Sequence, residues 1–119
     1  MKALKIGMVS GMMILAISAF ALPAMMKEFQ TTYKLGKDSK LKKLDCVVCH
    51  TAKGKTKLNV YGEDVKKAMA DAKSKTLTAD ILKKVEDLDS DKDGSKNIDE
   101  IKADTEPGNA KSKPAEKSK

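Results

Sequence analysis

The chain has 119 residues with 24 Lys, no Arg and 17 acids, for a net charge of +7; 40% of it is hydrophobic but only 3% aromatic. That length holds one small domain and excludes a two-domain organisation. With no Trp, and Phe29, Tyr33 and Tyr61 as the aromatics beyond Phe20, a core of side chains alone is thin at this size, so a bound cofactor or metal is expected to fill the middle.

The first element is a targeting segment. Met1 to Lys5 is short and basic, Ile6 to Phe20 is almost wholly apolar, and Ala19-Phe20-Ala21 has the small-x-small form of a signal peptidase site. Residues 1–21 therefore read as a cleaved signal peptide. The competing reading is an uncleaved anchor counted from Ile6 to Met26, close to the roughly 20 residues that span a bilayer. Gly7, Ser10, Gly11, Ser18 and Pro23 favour the signal. Both readings export the chain, to the periplasm or the medium, and a membrane contact is expected only if the segment stays on.

Residues 27–106 form the expected domain, and their signals are helical. Leu41, Leu44, Val47 and Val48 recur at three- and four-residue spacing, which suggests a helix running into or through the segment that follows. Asn59 to Gly62 reads as a turn, after which Val65, Ala68, Met69 and Ala72 form one stripe of a helix from Glu63 to Ala72. Thr78 caps a run in which Ile81, Leu82, Val85 and Leu88 share a face. No segment alternates with period two, so the fold is expected to be all-α, with three or four short helices. Charge comes in blocks: 15 Lys against 7 acids from Lys27 to Lys84, 3 against 9 from Val85 to Glu106, and 4 against 1 from Pro107 onward. Residues 107–119 lack any large apolar side chain and are expected to be a disordered, Lys-rich tail.

Both cysteines and the single histidine fall together in Cys46-Val47-Val48-Cys49-His50. This C-x-x-C-H spacing is that of a c-type haem attachment, in which two thiols bond the macrocycle and the adjacent imidazole reaches the iron. Structural zinc fails the ligand count, since three donors are present and a tetrahedral site takes four. A thioredoxin-like pair would need a βαβ setting that is missing here. A disulfide between Cys46 and Cys49 suits an exported protein but closes a very small loop and leaves His50 without a role.

On these five residues the chain resembles the small single-haem c-type cytochromes. The resemblance implies thioether bonds from Cys46 and Cys49, proximal iron ligation by His50, a small helical bundle wrapped on one covalent haem c, and one-electron transfer without enzymatic turnover. The sixth iron ligand stays open. Met69, 19 residues after His50, is a candidate distal ligand and equally a core filler on its stripe. Met25 and Met26 are weaker candidates in what reads as a frayed N-terminus, and a Lys, a water or an open site completes the choices. Asn59 or Tyr61 is a candidate neighbour of a propionate or the haem edge, against the simpler reading of a turn punctuated by Gly62.

The last element is an acidic loop. Asp89-Ser90-Asp91-Lys92-Asp93-Gly94-Ser95-Lys96-Asn97-Ile98-Asp99-Glu100 satisfies D-x-[DN]-x-[DN]-G-x₅-E throughout. The spacing offers Ca²⁺ carboxylates from Asp89, Asp91 and Asp93, the Ser95 carbonyl, Asn97 at the ninth position and Glu100 as a bidentate clamp. Gly94 permits the sharp turn. The loop resembles EF-hand, dockerin-like and thrombospondin-like calcium loops, departing at its eighth position, where Lys96 replaces the usual apolar residue. No second hand is present, and Pro107 should keep the exit helix short, so the calcium is expected to be structural.

The expected function is that of an exported electron carrier. Lys40, Lys42, Lys43, Lys53, Lys55 and Lys57 surround the cysteine motif and suit a redox partner with an acidic docking face; ordinary solvation explains them equally well. Nucleic acid is a poor partner for an exported chain without Arg. The alternative from another class is a haem-based sensor of small ligands with an open distal site.

Overall fold

Helices carry the fold of the computed structural model, which describes residues 21–52 and 56–115, with side chains from Ala24 onward in the first helix. Five α-helices follow one another: α1 (Ala21–Thr32), α2 (Lys40–Leu44), α3 (Val60–Asp71), α4 (Ala79–Lys84) and α5 (Asn97–Lys102), with a 3-10 turn, Asp45–Val48, continuing directly from α2. Among the described residues there is no strand, only an isolated antiparallel bridge between His50 and Leu58. The all-α expectation holds, with more and shorter helices than the hydrophobic spacing suggested. The signal segment expected over 1–21 lies, up to Ala21, outside the described residues. Among those described, no helix is long and apolar enough to cross a membrane.

The core is a single cluster drawn from every helix. Phe29 of α1, Leu41 of α2, Val48 of the 3-10 turn, Tyr61, Val65 and Ala68 of α3, Ile81 and Leu82 of α4, and Ile101 of α5 are all buried, together with Leu77 and Val85. Three of the four aromatics meet at its centre. Phe29 lies edge-to-face against Tyr33 and Tyr61, with ring centroids 5.0 and 6.2 Å away, a geometry that adds roughly 0.5–1.5 kcal/mol per pair to their burial.

Local chemistry explains most of the helix boundaries. Thr78 caps α4 as expected, its hydroxyl accepting from the Ile81 amide at 3.4 Å. α1, α3 and α5 end in the same way, with a left-handed residue at Lys34, Lys73 and Asp104 (φ 51°, 51° and 58°). In each case the next amide reaches back into the last turn: Leu35 to Gln30, Ser74 to Met69 and Thr105 to Glu100, at 2.9–3.0 Å. This closes the orphan carbonyls in Schellman fashion. The exit helix α5 is thus stopped at Asp104, before Pro107 acts.

Four expectations need correction. The segment Asn59–Gly62 is the beginning of α3 and not a separate turn, because the Asn59 side chain accepts from the Gly62 amide at 2.9 Å and starts the helix there. Leu88 leaves the α4 face and is 44% exposed, since the helix ends at Lys84. The folded body begins before residue 27: Met25 and Met26 sit in α1 and pack against the core, so they do not belong to a frayed end. The tail does not begin at Pro107, which is fully buried. There the chain turns back, with the Glu106 amide donating to the Ser112 hydroxyl at 3.0 Å and Lys113 Nζ to the Asp93 carbonyl at 3.3 Å. Residues 116–119 lie outside the described residues.

Candidate functional site

Three hydrogen-bonded devices build the cysteine–histidine turn. Ser39 caps α2, its hydroxyl accepting from the Lys42 amide at 3.2 Å. Asp45 then takes a positive φ (53°, ψ −119°), a strained backbone for a residue with a Cβ, and redirects the chain into the 3-10 turn while its amide donates to the Leu41 carbonyl. The Cys46 carbonyl accepts from the amides of both Cys49 and His50, at 3.2 and 2.9 Å. Residues at i, i+3 and i+4 of one helical turn share a face. Cys46, Cys49 and His50 stand at those positions, and all three line one cavity.

Asn59 fastens this turn to α3. Its side-chain amide donates to the carbonyls of Val47 (3.2 Å) and Val48 (2.9 Å), its Oδ1 caps α3, and its backbone amide donates to the Cys49 carbonyl at 2.8 Å. Gly62, one turn into α3, lies so close to the same carbonyl that a Cβ there would overlap the Cys49 oxygen. These commitments exclude Asn59 as a propionate contact. Tyr61 is fully buried against Phe29 and also stays out of the cavity wall.

The cavity measures about 290 Å³, just below the roughly 300–1,000 Å³ usual for small-molecule sites. Most of the rest of its lining is apolar, formed by Phe29, Leu58, Val65 and Leu77 with Met25, Met26 and Met69. Met69 therefore both packs on the core and faces the cavity, and α1 contributes two further thioethers. Charge enters the wall at Asp45 and at Lys66, one turn before Met69 on α3. Of the lysines expected around the motif, Lys40, Lys42, Lys43 and Lys57 are exposed, while Lys53 and Lys55 lie outside the described residues.

Electrostatics separate the cavity from ordinary thiol chemistry. Burial, then the proximity of Cys46, pushes the Cys49 thiol up to about 12, whereas redox and metal-binding cysteines need a lowered value. Both cysteines are free thiols in this structure. His50 Nδ1 is buried without a partner. Two thiols and an imidazole thus stand together in the lining of a largely apolar cavity.

A second site lies in the acidic loop. Carboxylate oxygens of Asp89, Asp91 and Asp93 lie within 4.8 Å of one another, the span of a coordination sphere with ~2.4 Å metal–oxygen bonds. The loop is wound by its own carboxylates. Asp89 accepts from the amides of Asp93 (3.1 Å) and Gly94 (2.9 Å), and Asp93 from that of Ser95 (2.8 Å). Gly94 takes φ +96°, open to glycine at little cost. Glu100 is fully buried, and neither of its oxygens has a hydrogen-bond partner; Asp91 and Asp93 each carry one more such oxygen. Burial first, and then Asp91 and Asp93, push the Glu100 carboxyl up to about 8, while burial and Asp93 raise Asp91 to about 6. Unpaired buried carboxylates facing one another are the arrangement that a divalent cation relieves.

Asn97 departs from the expected ligand set. Its Oδ1 accepts from the Ser90 amide at 3.2 Å, and its Nδ2 donates to the Val85 carbonyl (2.9 Å) and the Ser90 hydroxyl (2.7 Å). The side chain is consumed in tying α5 to the end of α4 and is not turned to the acidic triad. Ser90 in turn donates to Asp64 of α3 at 2.6 Å.

One functional residue escaped the sequence reading. Asp104 accepts from the Ser39 hydroxyl (2.6 Å) and from the amides of Lys40 (2.7 Å) and Leu41 (3.1 Å). Burial opposes its ionisation, but these three donors outweigh it and hold the carboxyl below its usual range. No local signal marks it, because its partners lie more than sixty positions away.

Comparison with protein-family models, curated proteins and solved structures finds no match to this chain.

Proposed function

We propose that the chain is an exported single-haem c-type cytochrome that carries one electron at a time, with calcium in the loop from Asp89 to Glu100 as a structural ion. The observation that carries this reading is the convergence of Cys46, Cys49 and His50 on one wall of an apolar cavity that holds three Met side chains. In this reading Cys46 and Cys49 would tether haem c through thioether bonds and His50 would be an iron ligand, with Met69, Met25 or Met26 the candidates for the other ligand. The haem iron would supply reversible one-electron chemistry.

The protein's part is positional and electrostatic. Asn59 and the Gly62 contact fix the backbone under the cysteines, so little reorganisation accompanies a change of charge at the cavity. The apolar wall lowers the local dielectric and excludes water, and thioether ligation raises a reduction potential. Lys66 places positive charge at the cavity wall, and exposed Lys40, Lys42 and Lys43 surround the turn, which suits a partner with an acidic docking face. Calcium is held by Asp89, Asp91, Asp93, the Ser95 carbonyl and Glu100, with Asn97 outside the set.

A sensor would present an open iron to ligands, whereas the carrier reading needs a sealed one. Titration of the reduced and oxidised protein with carbon monoxide and cyanide is therefore expected to give slow, weak binding. Rapid, stoichiometric binding would replace the carrier with the sensor.

A further inference from the structure

We propose that the acidic loop and the cysteine–histidine turn are coupled through Asp104, so that calcium in the loop sets how firmly the segment carrying Cys46, Cys49 and His50 is held. The inference rests on the calcium reading above.

The connection can be followed bond by bond. Glu100, whose buried oxygens face the acidic triad, belongs to α5, a helix of six residues. The Thr105 amide and hydroxyl both donate to the Glu100 carbonyl, at 2.9 and 3.1 Å, and force the left-handed turn at Asp104. That turn aims the Asp104 carboxylate at the first turn of α2, where it takes the three hydrogen bonds from Ser39, Lys40 and Leu41. α2 has only five residues, far fewer than the ~12–15 at which an isolated helix is even marginal, so its order depends on such external partners. The 3-10 turn with Cys46 follows it without a break.

A parallel strut runs past Asp104. Gly108 packs on Asn59 so closely that a Cβ there would lie 2.6 Å from its Oδ1, and Asn59 holds the Val47 and Val48 carbonyls. Both struts leave from the end of α5. Without an ion Glu100 is a buried carboxyl with no hydrogen-bond partner for either oxygen, so its side chain has no polar anchor and α5 is held less firmly. A bound ion would give Glu100 its missing partner and so steady α5, and with it the Asp104 and Gly108 contacts to the segment of Cys46, Cys49 and His50. Linkage makes the effect reciprocal: an ordered cysteine turn raises calcium affinity by the same factor.

Amide hydrogen exchange on the full chain, with calcium and with a chelator, tests this, and calorimetry on the same samples measures calcium uptake. The amides of Lys40, Leu41, Cys49 and His50 are expected to exchange about tenfold more slowly with calcium, within the ~5–150-fold range of site-to-site coupling. Asp104→Asn should still bind calcium, weakened by no more than the about tenfold coupling factor, yet lose most of that protection, and Ser39→Ala, which removes a single bond, should lose part of it. Calcium binding with unchanged exchange in the parent chain, or an undiminished response in Asp104→Asn, overturns the coupling alone. A chain that takes up no calcium overturns the coupling and the calcium reading together. The readout needs no haem, so failure of the haem reading shows itself separately.

Discussion

Asn59 commits every polar atom of its side chain to joining two elements. One oxygen starts α3, and one amide nitrogen gathers two carbonyls of the turn that carries Cys46, Cys49 and His50. Asn59→Asp is therefore informative, because the carboxylate keeps the cap but cannot donate. Two buried carbonyls would lose their partner and face a charged oxygen, at a cost of about 2 kcal/mol or more. Denaturant unfolding is expected to show that loss, and a variant as stable as the parent would contradict the assignment. At this scale the sequence was partly legible. Cys46, Cys49 and His50 announced themselves by spacing, and Asp89, Asp91, Asp93 and Glu100 by the loop pattern. Asn97 shows the limit of such patterns: spacing fixes which residue stands ninth, whereas its orientation depends on Ser90 and Val85. Asp104 was beyond reach, since its role lies in donors remote along the chain.

At the scale of elements, helix starts were easier to read than helix ends. Thr78 signalled α4 because a side-chain oxygen before an apolar run is local information. The ends of α1, α3 and α5 depend on left-handed Lys34, Lys73 and Asp104, where glycine is the usual residue. A left-handed Lys carries a backbone penalty that glycine avoids. Lys73 is exposed, and the α3 terminus needs only its backbone. Lys73→Gly is accordingly expected to stabilise the protein by about 0.5–1 kcal/mol in thermal unfolding, the glycine's extra freedom in the unfolded chain offsetting part of the gain. Destabilisation would mean that the Lys73 side chain does more than solvate. The same scale accounts for α1. The apolar run leading into Met25 and Met26 reads as the remainder of a targeting segment, and periodicity alone could not reveal that Phe29 would anchor the helix onto Tyr33 and Tyr61.

For the whole molecule, composition predicted a thin side-chain core. A core with three clustered aromatics and otherwise small or branched aliphatics encloses an apolar cavity of about 290 Å³ instead of closing on itself. Arrangement explains what composition alone left open. α1 and α3 bring three thioethers to the same cavity as one imidazole, while the chain leaving α5 holds the start of α2 through Asp104. Among the described residues the Lys side chains form a solvated shell, and the exposed Lys96–Asp87 pair at 3.0 Å adds little to stability.

The central claim is covalent haem at Cys46 and Cys49, and intact mass together with the visible spectrum tests it most directly. The protein would be produced for export in a host with c-type maturation machinery, beside a Cys46→Ala, Cys49→Ala double variant. The account predicts a red protein whose mass exceeds that of the polypeptide by one haem, and a variant that has lost both the colour and the added mass. A colourless parent with the bare polypeptide mass, or lighter by the two hydrogens of a disulfide, would contradict it.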